Sequence, residues 1–109
     1  MNLGEYQHQA SKFAIYNDAD IVVYPALGLV SEAGEVAGKV KKILRDQNGQ
    51  MLLPENREAI SKEIGDVLWY IAALCSDLDI DMDEVAQENL NKLNSRLQRG
   101  VLGGSGDNR

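Results

Sequence analysis

The sequence predicts an all-α protein, a four-helix bundle, and three observations support this fold class. Apolar residues recur every three or four positions in four separate segments, which is the period of an amphipathic helix. The breaks between the segments are short and fall at turn-forming residues, at Asn48-Gly49, Pro54 and Gly100. The β-branched run Ile21 to Val23 has no second strand to pair with. Helices with short connections therefore indicate a bundle.

The first two helices are expected from about Leu3 to Asn17 and from about Pro25 to the turn at Asn48-Gly49. Proline suits the first turn of a helix, because its missing N–H would have no partner there. The segment Asp18 to Tyr24 is expected to be a loop that leads into the second helix. The predicted apolar face of the second helix comprises Val30, Ala33, Ala37, Val40 and Leu44.

The third helix is expected to begin at Pro54 and to be the strongest core element. Its apolar face comprises Ile60, Ile64, Val67, Leu68, Ile71, Leu74 and Leu78. In the fourth helix, Asp81 is the predicted N-cap and Glu84 its capping-box partner. The apolar side of that helix comprises Val85, Ala86, Leu90, Leu93 and Leu97.

Residues 1–99 are expected to form one helical domain, and the Gly/Ser-rich residues 100–109 a loose C-terminal tail. The chain has only 109 residues, and long helices in so short a chain leave much apolar surface uncovered. We therefore expect a homo-oligomer in which subunits bury that surface.

Composition excludes several functional classes. Seventeen acidic and eleven basic residues give a net charge of −6, which argues against a surface for polymeric nucleic acid. One cysteine and one histidine exclude an internal disulfide and a zinc-finger site. No stretch approaches the 18 apolar residues of a membrane span, and no signal peptide is evident at the start of the sequence. A cytoplasmic location is expected.

Two pairs of acids lie inside predicted helices, Glu32 with Glu35 and Glu63 with Asp66. Residues three apart are neighbours on a helix surface, and like charges at that spacing repel. Glu32 and Glu63 border the apolar faces, where unpaired carboxylates are costly. If the two helices pack antiparallel, the four acids converge and suit a hard cation such as Mg²⁺ or Mn²⁺. The alternative for each pair alone is an ordinary solvated patch.

Three glycines occupy the interiors of the same two helices, at Gly34, Gly38 and Gly65. Each costs about 1 kcal/mol relative to alanine, so we expect a helix or a ligand to approach closely. Tight helix packing without any ligand is the alternative.

Basic residues continue the acidic surface. Lys39 and Lys42 follow Glu32 and Glu35 by seven residues, and Asn89, Lys92 and Arg96 share one face of the fourth helix. Cations beside a metal site are what a polyphosphate substrate requires. Each cation alone could equally be a solvated surface residue.

Two other metal sites are disfavoured. Asp77, Asp79, Asp81 and Glu88 match positions of a calcium loop, but Met82 stands where that loop needs glycine. A di-iron bundle requires Glu-x-x-His motifs, which the sequence lacks. Trp69 is interpreted first as an oligomer contact and second as a base-stacking residue.

The two acidic pairs resemble the E-x-x-E…E-x-x-D signature of MazG-like, all-α nucleoside triphosphate pyrophosphohydrolases. The flanking segments Tyr24 to Leu29 and Val36 to Lys42 agree with it. The segment Asn89 to Arg96 resembles the N-x-x-K-L-x-x-R stretch of the family. The resemblance extends from about Tyr6 to Arg99, and the single copy of the motif matches the short, one-domain members.

The resemblance implies Mg²⁺-dependent hydrolysis of (deoxy)nucleoside triphosphates to the monophosphate and pyrophosphate, with Mn²⁺ as a substitute ion. It implies Glu32, Glu35, Glu63 and Asp66 as metal ligands, Glu35 and Glu63 being catalytic and Glu35 the residue that handles the attacking water. The implied substrate-binding residues are Lys39, Lys42, Asn89, Lys92 and Arg96. Family members form dimers or tetramers with active sites at or near a subunit contact, and their role is nucleotide-pool housecleaning.

Two alternatives to this function remain open. One is a non-catalytic helical oligomer, such as an adaptor or an antitoxin-like binding protein, which would tolerate loss of the acidic pairs. The other is a related helical pyrophosphohydrolase that acts on dUTP, dCTP or phosphoribosyl-ATP. The shape of the base pocket decides that choice.

Overall fold

The structure, a computed structural model of all 109 residues, contains four α-helices and no β-strand, which confirms the all-α prediction. The helices are α1 (Leu3–Ala10), α2 (Val23–Asp46), α3 (Pro54–Asp77) and α4 (Met82–Gln98). Two single 3₁₀ turns, Ser11–Phe13 and Asp18–Asp20, lie between α1 and α2. None of the helices is both long and apolar enough to cross a membrane.

Helix α1 ends earlier than the sequence predicted. Asn2 caps it by accepting the Glu5 N–H at 2.7 Å, and the Glu5 side chain accepts from the Asn2 N–H in return. The expected end at Asn17 is wrong, because the α-helix stops at Ala10. The Ser11 hydroxyl donates to the His8 carbonyl at 2.6 Å, and such local bonds compete with helix continuation.

Helices α2 and α3 form an antiparallel hairpin, which is the most extensive contact in the chain. Contacts move backward along α3 as they move forward along α2. Gly28 faces Tyr70, Glu32 lies near Asp66, and Lys39 lies near Glu63. The hairpin therefore brings the two acidic segments of the sequence to the same level.

The face of α2 that packs is not the face that the sequence predicted. Val30 is 71% exposed and Leu44 is 61% exposed, whereas Pro25 and Ile43 are buried. The predicted stripe is wrong within the single chain, because α2 has a second apolar side that meets α3 and carries Glu32. The predicted stripe stays open to solvent.

The buried core is small and lies where α1, α3 and the start of α4 meet. It consists of Ala10, Ala72, Cys75 and Met82. Trp69 packs beside it and donates from Nε1 to the Ala10 carbonyl at 3.2 Å. Cys75 is a free, buried cysteine. Two members of the predicted α3 face are exposed, Ile64 and Leu78, and Leu78 follows the last residue of the helix.

Helix α4 begins as predicted, since the Asp81 side chain accepts the Asp83 N–H at 2.8 Å. The reciprocal bond from Glu84 is absent, so the capping box is incomplete. The helix packs principally against α1 rather than against the hairpin. Its predicted apolar side is uncovered along its length, as Leu90 and Leu97 illustrate.

The C-terminal tail, residues 100–109, folds back onto α4. Asp107 accepts from Lys92 at 2.9 Å and from Arg96 at 3.2 Å. The Arg109 guanidinium donates to several carbonyls of the tail, including those of Val101 and Gly106. These bonds order a segment in which glycine would otherwise favour disorder.

The chain is extended for its size. Its radius of gyration is 16.8 Å, whereas a compact domain of this length has about 13 Å. Large apolar residues remain exposed on α2 and α4. One copy therefore leaves apolar helix faces without a covering layer.

Close approach in the hairpin occurs at Gly28 and not at the three glycines that the sequence singled out. A Cβ placed on Gly28 would lie 2.1 Å from the Tyr70 ring. No atom approaches within 4 Å of the corresponding position on Gly34, Gly38 or Gly65. The expectation of close helix packing at those three residues is wrong within the chain.

We predict that Gly28→Ala lowers the free energy of unfolding by about 1–3 kcal/mol, because the Tyr70 ring must move to admit the methyl group. Urea denaturation followed by circular dichroism measures the change. The matched control is Gly34→Ala, which has open space and should gain up to about 1 kcal/mol of helix propensity. Wild-type stability in Gly28→Ala would contradict the observed packing.

Candidate metal and nucleotide site

Three carboxylates from two helices converge on the hairpin. One oxygen each from Glu32, Glu63 and Asp66 lies within 4.8 Å of the other two. Glu32 comes from α2, and Glu63 and Asp66 come from adjacent turns of α3. Glu32 and Glu63 are half-buried, while Asp66 is exposed. The three carboxylates are therefore partly buried at Glu32 and Glu63 and open to solvent at Asp66.

Glu32 is partly desolvated and has three other acids near it. Desolvation raises the pKa of Glu32 above its usual value, and the charges of Asp66, Glu63 and Glu35 raise it further. Asp66 also adds to the burial that raises the pKa of Tyr6 on α1. Oxygen ligands with uncompensated negative charge and no histidine or cysteine fit a hard divalent cation such as Mg²⁺.

Glu35 does not join this group. It is exposed on α2, outside the set of oxygens that converge. Its charge nevertheless acts on Glu32. The structure therefore brings together three of the four acids that the sequence selected and leaves Glu35 beside them.

The α2 lysines differ in position. Lys39 Nζ lies 4.0 Å from Glu63 Oε1 and is 41% exposed. Lys42 is exposed. The hydrogen bond from Arg45 lowers the pKa of Asp46, and the charge of Lys42 lowers it further. The Lys39 Nζ–Glu63 Oε1 distance is at the limit of an ion pair and no hydrogen bond accompanies it, so Lys39 is free to exchange Glu63 for another anion.

The α4 residues lie apart from the carboxylates. No hydrogen bond or ion pair connects Asn89, Lys92 or Arg96 with the acidic group; the two cations bind Asp107 instead. Together Lys92 and Arg96 hold the pKa of Asp107 below its usual value. Arg96 is buried, and its Nε has no partner. Within one chain these cations form a second anion-binding point, which the tail occupies.

An aromatic cavity of about 440 Å³ opens beside the hairpin. Tyr16 stacks on Tyr24 with ring centroids 4.9 Å apart, and Tyr24 lies 6.2 Å from Tyr70. Trp69 meets Tyr70 edge-on at 5.0 Å. The complete lining is Phe13, Ile15, Tyr16, Tyr24, Trp69 and Tyr70. Its volume lies in the range of small-molecule sites, about 300–1,000 Å³.

The cavity continues toward the carboxylates. Tyr24 and Tyr70 also line a neighbouring depression that contains Gly28, Ser31 and Glu32. A hydrogen bond with Tyr24 and burial raise the pKa of Tyr70, and the charges of Glu32 and Asp66 raise it further. The cavity and the depression could therefore bind an aromatic ring and a charged group attached to it next to each other.

Sequence reasoning missed Gly28 and Tyr24 as parts of the site. Both lie within the segment Tyr24 to Leu29, which was noted only as a flank of the first acidic pair. A glycine one turn before Glu32 was the available signal, since it permits a bulky ring to contact the helix backbone.

A second group of polar residues lies beyond the C-terminal end of α3, between α1 and the start of α4. His8, Asp79, Asp81 and Glu84 line an open cavity of about 520 Å³. Asp81 is committed to capping α4, and these acids do not converge as the hairpin acids do.

The helical hairpin thus presents clustered acids beside an aromatic cavity. Comparison with known families gives a match of residues 25–101 to the MazG nucleotide pyrophosphohydrolase domain. The chain belongs to this family, which confirms the resemblance noted in the sequence. It is also similar to the Gene 37 protein of Mycobacterium phage L5, at 51% identity over 115 aligned positions that cover both proteins completely. No solved structure matches the chain significantly.

We predict that Glu32→Gln raises the melting temperature by a few degrees in EDTA, because it removes a charge from the group where repulsion is greatest. Mg²⁺ or Mn²⁺ should stabilise the wild-type protein, by about 2.7 kcal/mol at a hundredfold excess over Kd. That gain should shrink in Glu32→Gln. Differential scanning calorimetry with and without the ion measures both effects.

Glu58→Gln serves as the control, since Glu58 is an exposed α3 acid paired only with Lys62. Its melting temperature should respond to the ion as wild type does. An equal response of Glu32→Gln and wild type to Mg²⁺ and Mn²⁺ would remove Glu32 from the site.

Proposed function

We propose that the chain hydrolyses (deoxy)nucleoside triphosphates to the monophosphate and pyrophosphate with a divalent cation, Mg²⁺ or Mn²⁺. The observation that carries this proposal is the convergence of Glu32, Glu63 and Asp66 oxygens within 4.8 Å of one another. Membership of the MazG family supports the reaction class. Clearing unwanted nucleotides from the cytoplasmic pool is the role that such a reaction would serve.

The three converging carboxylates would hold the cation. When bound, the cation neutralises phosphate oxygens and lowers the pKa of the attacking water. Glu35, exposed and next to the group, is the residue that we assign to orient that water and accept its proton. Lys39 can move its ammonium from Glu63 to the triphosphate.

The aromatic cavity is the part of the site that would accept the nucleobase. Tyr24 and Tyr70 line both the cavity and the depression next to Glu32. Stacking on aromatic side chains contributes about 1–3 kcal/mol per base and tolerates different bases. This arrangement favours base stacking for Trp69, while its role as an oligomer contact remains a separate prediction.

The remaining cations would serve the phosphates from another copy of the chain. Lys92 and Arg96 make no contact with the acidic group of their own hairpin, and they already bind an anion, Asp107. The exposed apolar residues of α2 and α4, such as Val30 and Leu97, supply a surface for association. We therefore propose a dimer or a tetramer in which α4 of one subunit, with Asn89, approaches the hairpin of its partner.

We predict pyrophosphate release from at least one nucleotide in a panel of the four NTPs and four dNTPs with Mg²⁺. EDTA abolishes the release, and Glu63→Gln or Glu35→Gln lowers kcat by at least about 100-fold, because each removes a carboxylate on which cation or water depends. A coupled pyrophosphate assay measures the rates.

Glu58→Gln is again the matched control and keeps wild-type rates. Absence of turnover for every nucleotide would sink the enzyme hypothesis and favour a non-catalytic binding protein. Wild-type rates in Glu63→Gln would contradict the assignment of Glu63 to the active site.

We predict a molar mass of at least twice the 12.0 kDa of one chain in size-exclusion chromatography with light scattering. Leu97→Asp places a charge on the exposed face of α4 and should shift the protein toward monomers, because burying an unpaired charge is costly. Ser61→Asp, at an exposed position of α3, adds the same single negative charge and is the control. A stable wild-type monomer would contradict the proposed assembly.

A further inference from the structure

Asp77 is an acidic residue at the C-terminal end of a helix, where a negative charge is unfavourable. It is the last residue of α3, where the helix dipole presents partial negative charge and disfavours a carboxylate. No basic residue lies in that last turn to compensate. A half-buried carboxylate persists there only if other groups stabilise it.

Two donors from a distant segment supply that stabilisation. Tyr16 Oη donates to Asp77 Oδ2 at 2.8 Å, and the Val22 N–H donates to the same oxygen at 2.8 Å. Burial is the largest cause that raises the pKa of Tyr16. Together with the hydrogen bond and the charge of Asp77, it raises that pKa to about 12. Tyr16 therefore stays a hydrogen-bond donor throughout the neutral range.

The segment that Asp77 holds, residues 14–22, has little else to fix it. The two bonds to Asp77 are the only side-chain hydrogen bonds that reach it. Most of its residues are exposed, and Ile15 is 91% exposed. Val22 has φ 68°, a conformation that is strained for a β-branched residue. The Asp77 bond to the Val22 N–H helps to retain that strained conformation.

The segment forms one wall of the aromatic cavity. Ile15 and Tyr16 line it, and the Tyr16 ring stacks on Tyr24. Tyr24 in turn faces Tyr70 and the depression that contains Glu32. The position of the Tyr16 ring thus depends on Asp77, which itself lies outside the cavity lining.

We propose that Asp77 is a positioning residue that holds the segment 14–22 in place, so that Tyr16 and Tyr24 form a preorganised wall for the nucleobase. The proposal rests on the proposed function, because it assigns the aromatic cavity to the base. Asp77 touches neither the base nor the reacting phosphate. It acts on substrate binding and leaves the carboxylate group on the hairpin unchanged.

The test is Asp77→Asn, with Asp79→Asn as matched control. Asp79 is exposed and two residues away, makes no side-chain hydrogen bond, and has φ 56°, which asparagine tolerates. For the nucleotide turned over best, Asp77→Asn should raise KM about tenfold with kcat within about twofold, because uniform binding is lost. Asp79→Asn should leave both constants unchanged.

Two further measurements separate positioning from general destabilisation. In an absorbance titration, Asp77→Asn should lower the pKa of Tyr16, and the titration step that responds should vanish in Tyr16→Phe. Tyr16→Phe alone should raise KM a few-fold. In that background Asp77→Asn should have a smaller effect on KM, because its bond to Tyr16 is already absent and only the bond to Val22 remains to be weakened.

Several outcomes would overturn the proposal. They are an unchanged KM in folded Asp77→Asn, an equal rise in KM for Asp79→Asn, or additive effects of Asp77→Asn and Tyr16→Phe. If Asp77→Asn does not fold, an unchanged KM in Tyr16→Phe overturns it instead.

The proposed function can fail separately. If wild type hydrolyses none of the eight nucleotides, their Kd values with Mg²⁺, from the fluorescence of Trp69, replace KM in the same comparison. A tenfold weaker Kd in Asp77→Asn would then support the positioning role without catalysis. No binding of any nucleotide by wild type would overturn both proposals.

Discussion

The contact between the Tyr70 ring and the backbone at Gly28 is the constraint on which the site depends. It sets how closely α2 and α3 approach, and a single methyl group at Gly28 would lie 2.1 Å from the ring. The same approach forces Glu32 toward Glu63 and Asp66, although like charges repel. Packing energy in the hairpin thus holds together a group that is unfavourable without a cation, as functional sites often require.

Much of this organisation was predictable because helical periodicity and the paired acids are local signals. The starts at Pro54 and Asp81 followed from spacing along the chain, and three of the four acids expected to converge in an antiparallel pair do so. The packed face of α2 was not predictable, since α2 has apolar residues on two sides and only the position of α3 decides between them. The fold of the tail depends on Asp107 meeting two cations of α4, which no periodicity reveals.

The proposed assembly would account for both the uncovered apolar faces and the distant cations. The hairpin carries acids and an aromatic cavity, while Lys92 and Arg96 lie on a helix that packs principally against α1. A second copy that covers exposed residues such as Val30 and Leu97 could also bring cations to the acids. Asp107 would then exchange with phosphate, since both are anions that a buried arginine can bind.

The central claim is that the carboxylates of the hairpin form the cation site, and anomalous diffraction from crystals soaked in Mn²⁺ tests it most directly. The expected result is a peak about 2 Å from oxygens of Glu32, Glu63 and Asp66, at the distance of direct coordination. A peak only beside Asp79 and Glu84, or none on the hairpin at a concentration that supports activity, would contradict the claim.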